Sequence, residues 1–196
     1  MRRWPLLLLA TLLCAGCGDG GHSGAAQNAP DGSFAIASAT LDFVDATRPT
    51  AAHNGAPGSD SRTLHTTIYY PDAPRRFPLI VFAHGLGALG RIYDVILKAW
   101  ATEGYVVAAP DFPLSRATAP GGATADDYVN QPADLSFLID QLLALADDPS
   151  SALHGRVDPE HIGAAGQSLG GLTTFGLTLD TCCRDPRVDA AVPMAG

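Results

Sequence analysis

The stretch "HIGAAGQSLGGLTTFGL", His161 to Leu177, holds Gly166, Ser168 and Gly170 in the pattern Gly-x-Ser-x-Gly. An apolar run leads into it, and a segment rich in small residues with helical spacing leads out. A strand that turns sharply into a helix there forms an elbow. Small flanking residues let the backbone fold tightly, and the serine hydroxyl then stands at the edge of a sheet. The N-terminus of the following helix points at the same spot and favours a developing negative charge. In a chain with 21 glycines the pattern also arises by chance, so its surroundings decide between an elbow and a plain structural turn.

Those surroundings alternate. Upstream, "FPLIVFAHG" and "YVVAAPD" are continuous apolar runs, the mark of strands buried on both faces. "RIYDVILKAWATEG", Arg91 to Gly104, has helical spacing through Ile92, Val95, Ile96, Ala99 and Trp100 and stops at glycine. "NQPADLSFLIDQLLALADD", Asn130 to Asp148, is the clearest helix. Asn130 is placed to cap it, Pro132 suits its first turn, and Asp134 there is favoured by the helix dipole. "RVDAAVPMAG" reads as a fourth buried strand. Before all of this, Phe34 to Arg48 and Arg62 to Pro71 alternate apolar and polar and read as a hairpin-like pair. Strand and helix in strict succession predict an α/β fold, a mainly parallel doubly wound sheet with an antiparallel N-terminal strand pair. Ligands in such sheets bind at the carboxyl ends of the strands. The loops around Ser168, around "HGLGALG" and from Pro113 to Tyr128 all fall on that edge.

Ester hydrolysis passes through an oxyanion and needs about two preorganised N–H donors. The N–H of Leu169, just after the serine, is one candidate. The loop "FAHGLGALG", Phe82 to Gly90, supplies the other, assigned to Leu86 between Gly85 and Gly87. His84 is read as bracing this loop rather than as a general base.

"FAHGLGALGRIYDVILKAWATEGYVVAAPDFP" together with "DPEHIGAAGQSLGG" resembles the α/β-hydrolase superfamily. The likeness lies nearest the branch of platelet-activating-factor acetylhydrolase, cutinase-like polyester hydrolases and dienelactone-hydrolase-like esterases, and it covers Phe34 to Gly196. It implies an esterase with Ser168 as nucleophile, Leu86 and Leu169 as oxyanion donors, and no metal or organic cofactor. Serine rather than cysteine at that position speaks against dienelactone chemistry.

The resemblance also implies a later acid and a still later histidine. All six histidines precede Ser168. Asp180, Asp185 and Asp189 follow it, and they read as solvated loop and cap residues. A serine without a base is a poor nucleophile at neutral pH. The expectation is therefore a C-terminally truncated hydrolase, the N-terminal two-thirds of the domain lacking the last strands, with the acid and histidine beyond Gly196. The alternative is a lipid-anchored, non-catalytic binding or vestigial module.

The N-terminus points to export. Residues 1–16 combine a basic start, Arg2 and Arg3, with the apolar run Leu6 to Leu13, too short to span a bilayer. Cys17 after Ala15-Gly16 resembles a lipobox cysteine that becomes lipidated, although Cys14 stands where an aliphatic residue is usual. Cleavage as an ordinary secretory signal is the competing reading. Residues 17–33 read as a flexible tether and 34–196 as the hydrolase domain. Removing residues 1–16, which carry two arginines and no acid, takes the formal charge from −8 to −10. Such an acidic surface disfavours nucleic acid and anionic membranes as partners; the partner that the resemblance implies is a small-molecule or lipid ester. Cys182 and Cys183 are adjacent; a bond between sequence neighbours is strained, so their state stays open, and a partner for one of them beyond Gly196 is the alternative. No cysteine spacing suits zinc.

Overall fold

The computed structural model describes residues 33–196. The expected signal, the lipidation at Cys17 and the tether up to residue 32 lie outside the described residues. Strands β1 (Ile36–Asp45), β2 (Arg62–Pro71), β3 (Phe77–Ala83), β4 (Val106–Asp111), β5 (Val157–Gln167) and β6 (Val188–Met194) form one sheet in the order β1-β2-β4-β3-β5-β6. β1 and β2 pair antiparallel, β2 joins β4 antiparallel, and β4, β3, β5 and β6 run parallel. The helices are α1 (Asp94–Thr102), α2 (Gln131–Asp147) and α3 (Leu169–Thr178).

The continuous apolar runs are explained by two cores. Leu79 and Val81 of β3 and Val106 and Ala108 of β4 face α2, which buries Leu135, Leu138, Ile139 and Leu142 against them. The intervening Phe82, Val107 and Ala109 face the other way, where Leu97 and Ala101 of α1 cover them. Side chains alternate across a strand, so a strand covered on both faces needs apolar residues at every position.

Several local expectations differ. The segment from Arg91 opens as a 3₁₀ turn, Gly90–Tyr93, and α1 starts only at Asp94. Val95 is 88% exposed and Ile92 is exposed as well, so the apolar stripe is only partly covered, through half-buried Ile96 and Trp100. Asn130 makes no capping bond to α2. Its amide donates to Asp127 instead. β6 is not buried, because among the described residues it is the sheet edge and only β5 lies beside it. Cys182 and Cys183, left open by the sequence, are disulfide-bonded to each other. Asp185 is buried rather than solvated, and Arg187 and the Ser136 hydroxyl both donate to it. Those hydrogen bonds outweigh burial and hold its carboxyl below the usual range.

Asp134 differs most. It is fully buried, and it pairs with Arg62 at the start of β2 rather than with a helix dipole in solvent. Arg62 donates from Nε and Nη2 to the two Asp134 oxygens at 2.7 Å each, and from Nη1 and Nη2 to Asp127 at 3.1 and 2.8 Å. Arg48 adds an ion pair to Asp134 at 2.8 Å. Burial works against the guanidinium charge, but the bonds to Asp134 and Asp127 outweigh it and hold Arg62 above its ordinary pKa. Burial likewise lifts the Asp134 carboxyl, against the pull of Arg62. Its acceptance of two parallel N–H bonds requires the carboxylate form. Removing one partner leaves uncompensated charge in the interior. Arg62→Met is expected to lower stability by roughly 3–5 kcal/mol, read from urea midpoints at constant m-value. A loss under ~1 kcal/mol would show that water reaches the cluster.

Candidate active site

Ser168 sits between the last residue of β5 and the first of α3, with φ 54° and ψ −119°. A positive φ is uncommon for a residue with a side chain and stores local strain. The turn is held on both sides. The Ser168 N–H donates to the Met194 carbonyl at 2.8 Å, and the Ser168 carbonyl accepts from Gly171 at 2.8 Å. Gly166 and Gly170 are required by contact rather than by dihedral. A Cβ on Gly166 would lie 2.1 Å from the Gly170 carbonyl oxygen, and one on Gly170 would lie 2.0 Å from that of Ala83. The N–H of Leu169 opens α3, so it has no acceptor within the helix and is free to point outward.

The loop after β3 lies against this turn. His84 is fully buried. Its Nδ1 lies 2.8 Å from the Gly85 carbonyl, and its Nε2 accepts from the Phe112 N–H at 3.0 Å. The tautomer is therefore protonated on Nδ1. Burial pushes the imidazole pKa down, against the pull of the Gly85 carbonyl, which keeps the ring neutral. With both nitrogens engaged, His84 braces the loop and has no lone pair left for a substrate proton. Asp111 has a comparable part, accepting from the Gly90 N–H at 2.7 Å.

The loop N–H groups are nearly all spoken for. Gly85 donates to the Tyr93 hydroxyl at 3.2 Å, Gly87 to the Ser115 carbonyl at 2.8 Å, and Ala88 to the Gly85 carbonyl at 3.1 Å. Among the described residues, the Leu86 N–H has no acceptor. Gly87, at φ 69°, provides the left-handed turn that reverses the chain just after it.

Tyr93 and Gln167 are site residues that the sequence reading missed. The Tyr93 hydroxyl donates to Gln167 Oε1 at 2.8 Å, which links the loop to the residue just before Ser168. The only sequence signal was position. Gln167 is one of the two variable residues of the motif, and Tyr93 lies a short turn beyond the loop.

No described imidazole or carboxylate hydrogen-bonds to Ser168. His65 is paired with Asp42 at 2.6 Å, and His161 with Asp158 at 2.8 Å, near the end of β5 remote from Ser168. Among the described residues no group of three or more His, Cys, Asp or Glu side chains could hold a metal ion.

A family model described as Chlorophyllase matches residues 32–193, nearly all of the described chain. The protein belongs to the chlorophyllase family. Its fold is that of the α/β-hydrolase esterases, as a solved structure also shows. This is the ferulic acid esterase from Streptomyces cinnamoneus, with a TM-score of 0.64 and 25% identity over 88% of this chain. The match takes in 60% of that esterase, so the sequence spans three-fifths of its length. Comparison with curated proteins gave no match. The chlorophyllase match begins just before β1 and ends within β6, so the antiparallel pair and the Ser168 turn belong to one family unit.

Proposed function

We propose that this chain is the nucleophile-bearing part of an exported serine hydrolase that cleaves carboxylic esters through an acyl-enzyme. Ser168 Oγ attacks the ester carbonyl carbon. The carbonyl π bond breaks, and its electron pair becomes an oxyanion held by the N–H groups of Leu86 and Leu169. The oxyanion then collapses, the C–O bond to the alcohol breaks, and the serine proton goes to the departing alkoxide by way of a base. Water repeats the sequence on the acyl-serine and releases the acid. The observation that carries this reading is the strained Ser168 beside a loop in which, of residues 85–88, only Leu86 has an N–H with no acceptor among the described residues.

Family membership and the esterase neighbour support ester hydrolysis in general. The base and acid are proposed to come from residues outside these 196, since no described group hydrogen-bonds to Ser168. The substrate is a small-molecule or lipid ester. Acetyl esters of phospholipids and polyester-like substrates are to be tested beside chlorophyll and ferulic acid esters, which the names of the family and the solved neighbour indicate. Export, with a lipid anchor at Cys17, is proposed from the N-terminal sequence.

The test is covalent labelling of the protein made from its complete reading frame. A fluorophosphonate should add its phosphonyl group to Ser168, located by peptide mass spectrometry. An adduct elsewhere, or none, would overturn the assignment. The lack of a described base also favours a second reading, a non-catalytic module. Sequencing past the Gly196 codon separates the two. A stop codon there supports the module, and an open frame carrying Asp and then His supports the enzyme.

A further inference from the structure

The oxyanion loop is tied to the Ser168 turn by two separate hydrogen-bonded arms. The first runs from the Gly85 N–H to the Tyr93 hydroxyl and on to Gln167 Oε1. The second starts at the Gly87 N–H, which donates to the Ser115 carbonyl at 2.8 Å. The Ser115 hydroxyl accepts from Gln131 Nε2 at 2.7 Å, and Gln131 Oε1 accepts from the Thr173 hydroxyl. One arm thus ends on the residue before Ser168, and the other ends on α3 in the turn after it. Together they straddle Leu86, whose N–H has no acceptor among the described residues.

Both arms are rigid for identifiable reasons. Tyr93 lies against Phe82, with ring centroids 4.7 Å apart, and its hydroxyl is used as both donor and acceptor. Ser115, Gln131 and Thr173 are all buried. A buried amide that gives one bond and takes another cannot turn over without losing both. Gly85 packs closely on this arm: a Cβ there would lie 2.8 Å from Gln167 Oε1 and 3.3 Å from the Tyr93 hydroxyl, so a side chain would displace one of them. The loop therefore sits directly on the Gln167 side chain.

We infer that Tyr93 and Gln131 are positioning residues that fix the distance between the Leu86 and Leu169 N–H groups, and so set the oxyanion hole. This rests on the reading of Ser168 as nucleophile. Neither residue touches the reacting atoms. Each acts by preventing the loop from drifting, and misplacement of ~1 Å can cost about 100-fold in rate.

Two shape-conserving variants test it in the protein made from its complete reading frame. Tyr93→Phe cuts the first arm, and Thr173→Val cuts the second without opening a cavity. Sites are counted by fluorophosphonate titration, so that misfolded protein drops out. The expected result is a fall in kcat per titrated site of about 10- to 100-fold in each variant with KM nearly unchanged. Affinity for a trifluoromethyl ketone, whose serine adduct carries the oxyanion, should fall by the same factor. If the variants only lose titratable sites or melting temperature, while kcat per site and ketone affinity stay at the parent's values, the arms are merely structural and the inference fails. If the parent protein is not titrated at Ser168, the assignment of the nucleophile fails first and the inference goes with it.

Discussion

Ser168→Ala in the protein made from its complete reading frame is expected to lower kcat/KM for an ester substrate by about 10⁴- to 10⁶-fold, the scale on which serine hydrolases lose activity without their nucleophile. The two proposed oxyanion donors, the N–H groups of Leu86 and Leu169, would remain, and on that proposal a trace above the rate in water should persist. Fluorophosphonate labelling should vanish. Stability should hardly change, because alanine meets the same φ of 54° as serine. Ser168→Gly offers a sharper comparison. Glycine adopts that dihedral without strain, and strain of this kind costs on the order of 1–3 kcal/mol. The glycine variant should therefore be as inactive as the alanine variant yet melt higher. Equal melting temperatures for the two would mean that the turn stores no strain. Retained activity in either would remove Ser168 from the mechanism.

The alternation of apolar runs and helical segments made the parallel sheet legible, because a strand covered on both faces leaves no polar positions. β3 and β4 show this residue by residue. The Gly-x-Ser-x-Gly pattern likewise placed Ser168 at a strand-to-helix junction. What stayed hidden has a common physical character. The Arg62–Asp134 pair joins residues 72 apart, and the Tyr93–Gln167 bond joins residues 74 apart. Such contacts leave no periodic trace, since each partner by itself resembles an ordinary surface or turn residue. Asp134 looks like a first-turn helix acid until β2 brings Arg62 beside it. Periodicity also identifies an apolar stripe without saying what lies against it, which is why Ile92, in the 3₁₀ turn before α1, and Val95, on α1, are exposed despite their spacing. Adjacent cysteines leave two pairings open in a sequence, with each other or with a distant partner, because nothing local distinguishes them. The structure closes the bond between the neighbours themselves.

Gly170→Ala is expected to destabilise the fold by more than about 5 kcal/mol, enough to leave little soluble protein. The added Cβ would lie 2.0 Å from the Ala83 carbonyl oxygen, 2.5 Å from its carbon and 2.9 Å from the His84 carbonyl oxygen. These are backbone atoms at the end of β3, so no side-chain rotation relieves the overlap. α3 must move away from the sheet, and the loop that begins at His84 must move too. Dihedral strain has no part in this, because Gly170 is not among the positive-φ glycines. Gly163→Ala provides the control within the same strand-and-helix unit. A Cβ there would come no nearer than 3.7 Å to any neighbour, which is ordinary contact. Replacing glycine inside a strand also lowers the entropy of the unfolded chain, so this variant should gain about 0.4–1 kcal/mol. Soluble yield and thermal midpoint, compared between the two variants, check both signs. A Gly170→Ala protein that melts near the parent would mean that α3 does not approach β3 as closely as the structure shows.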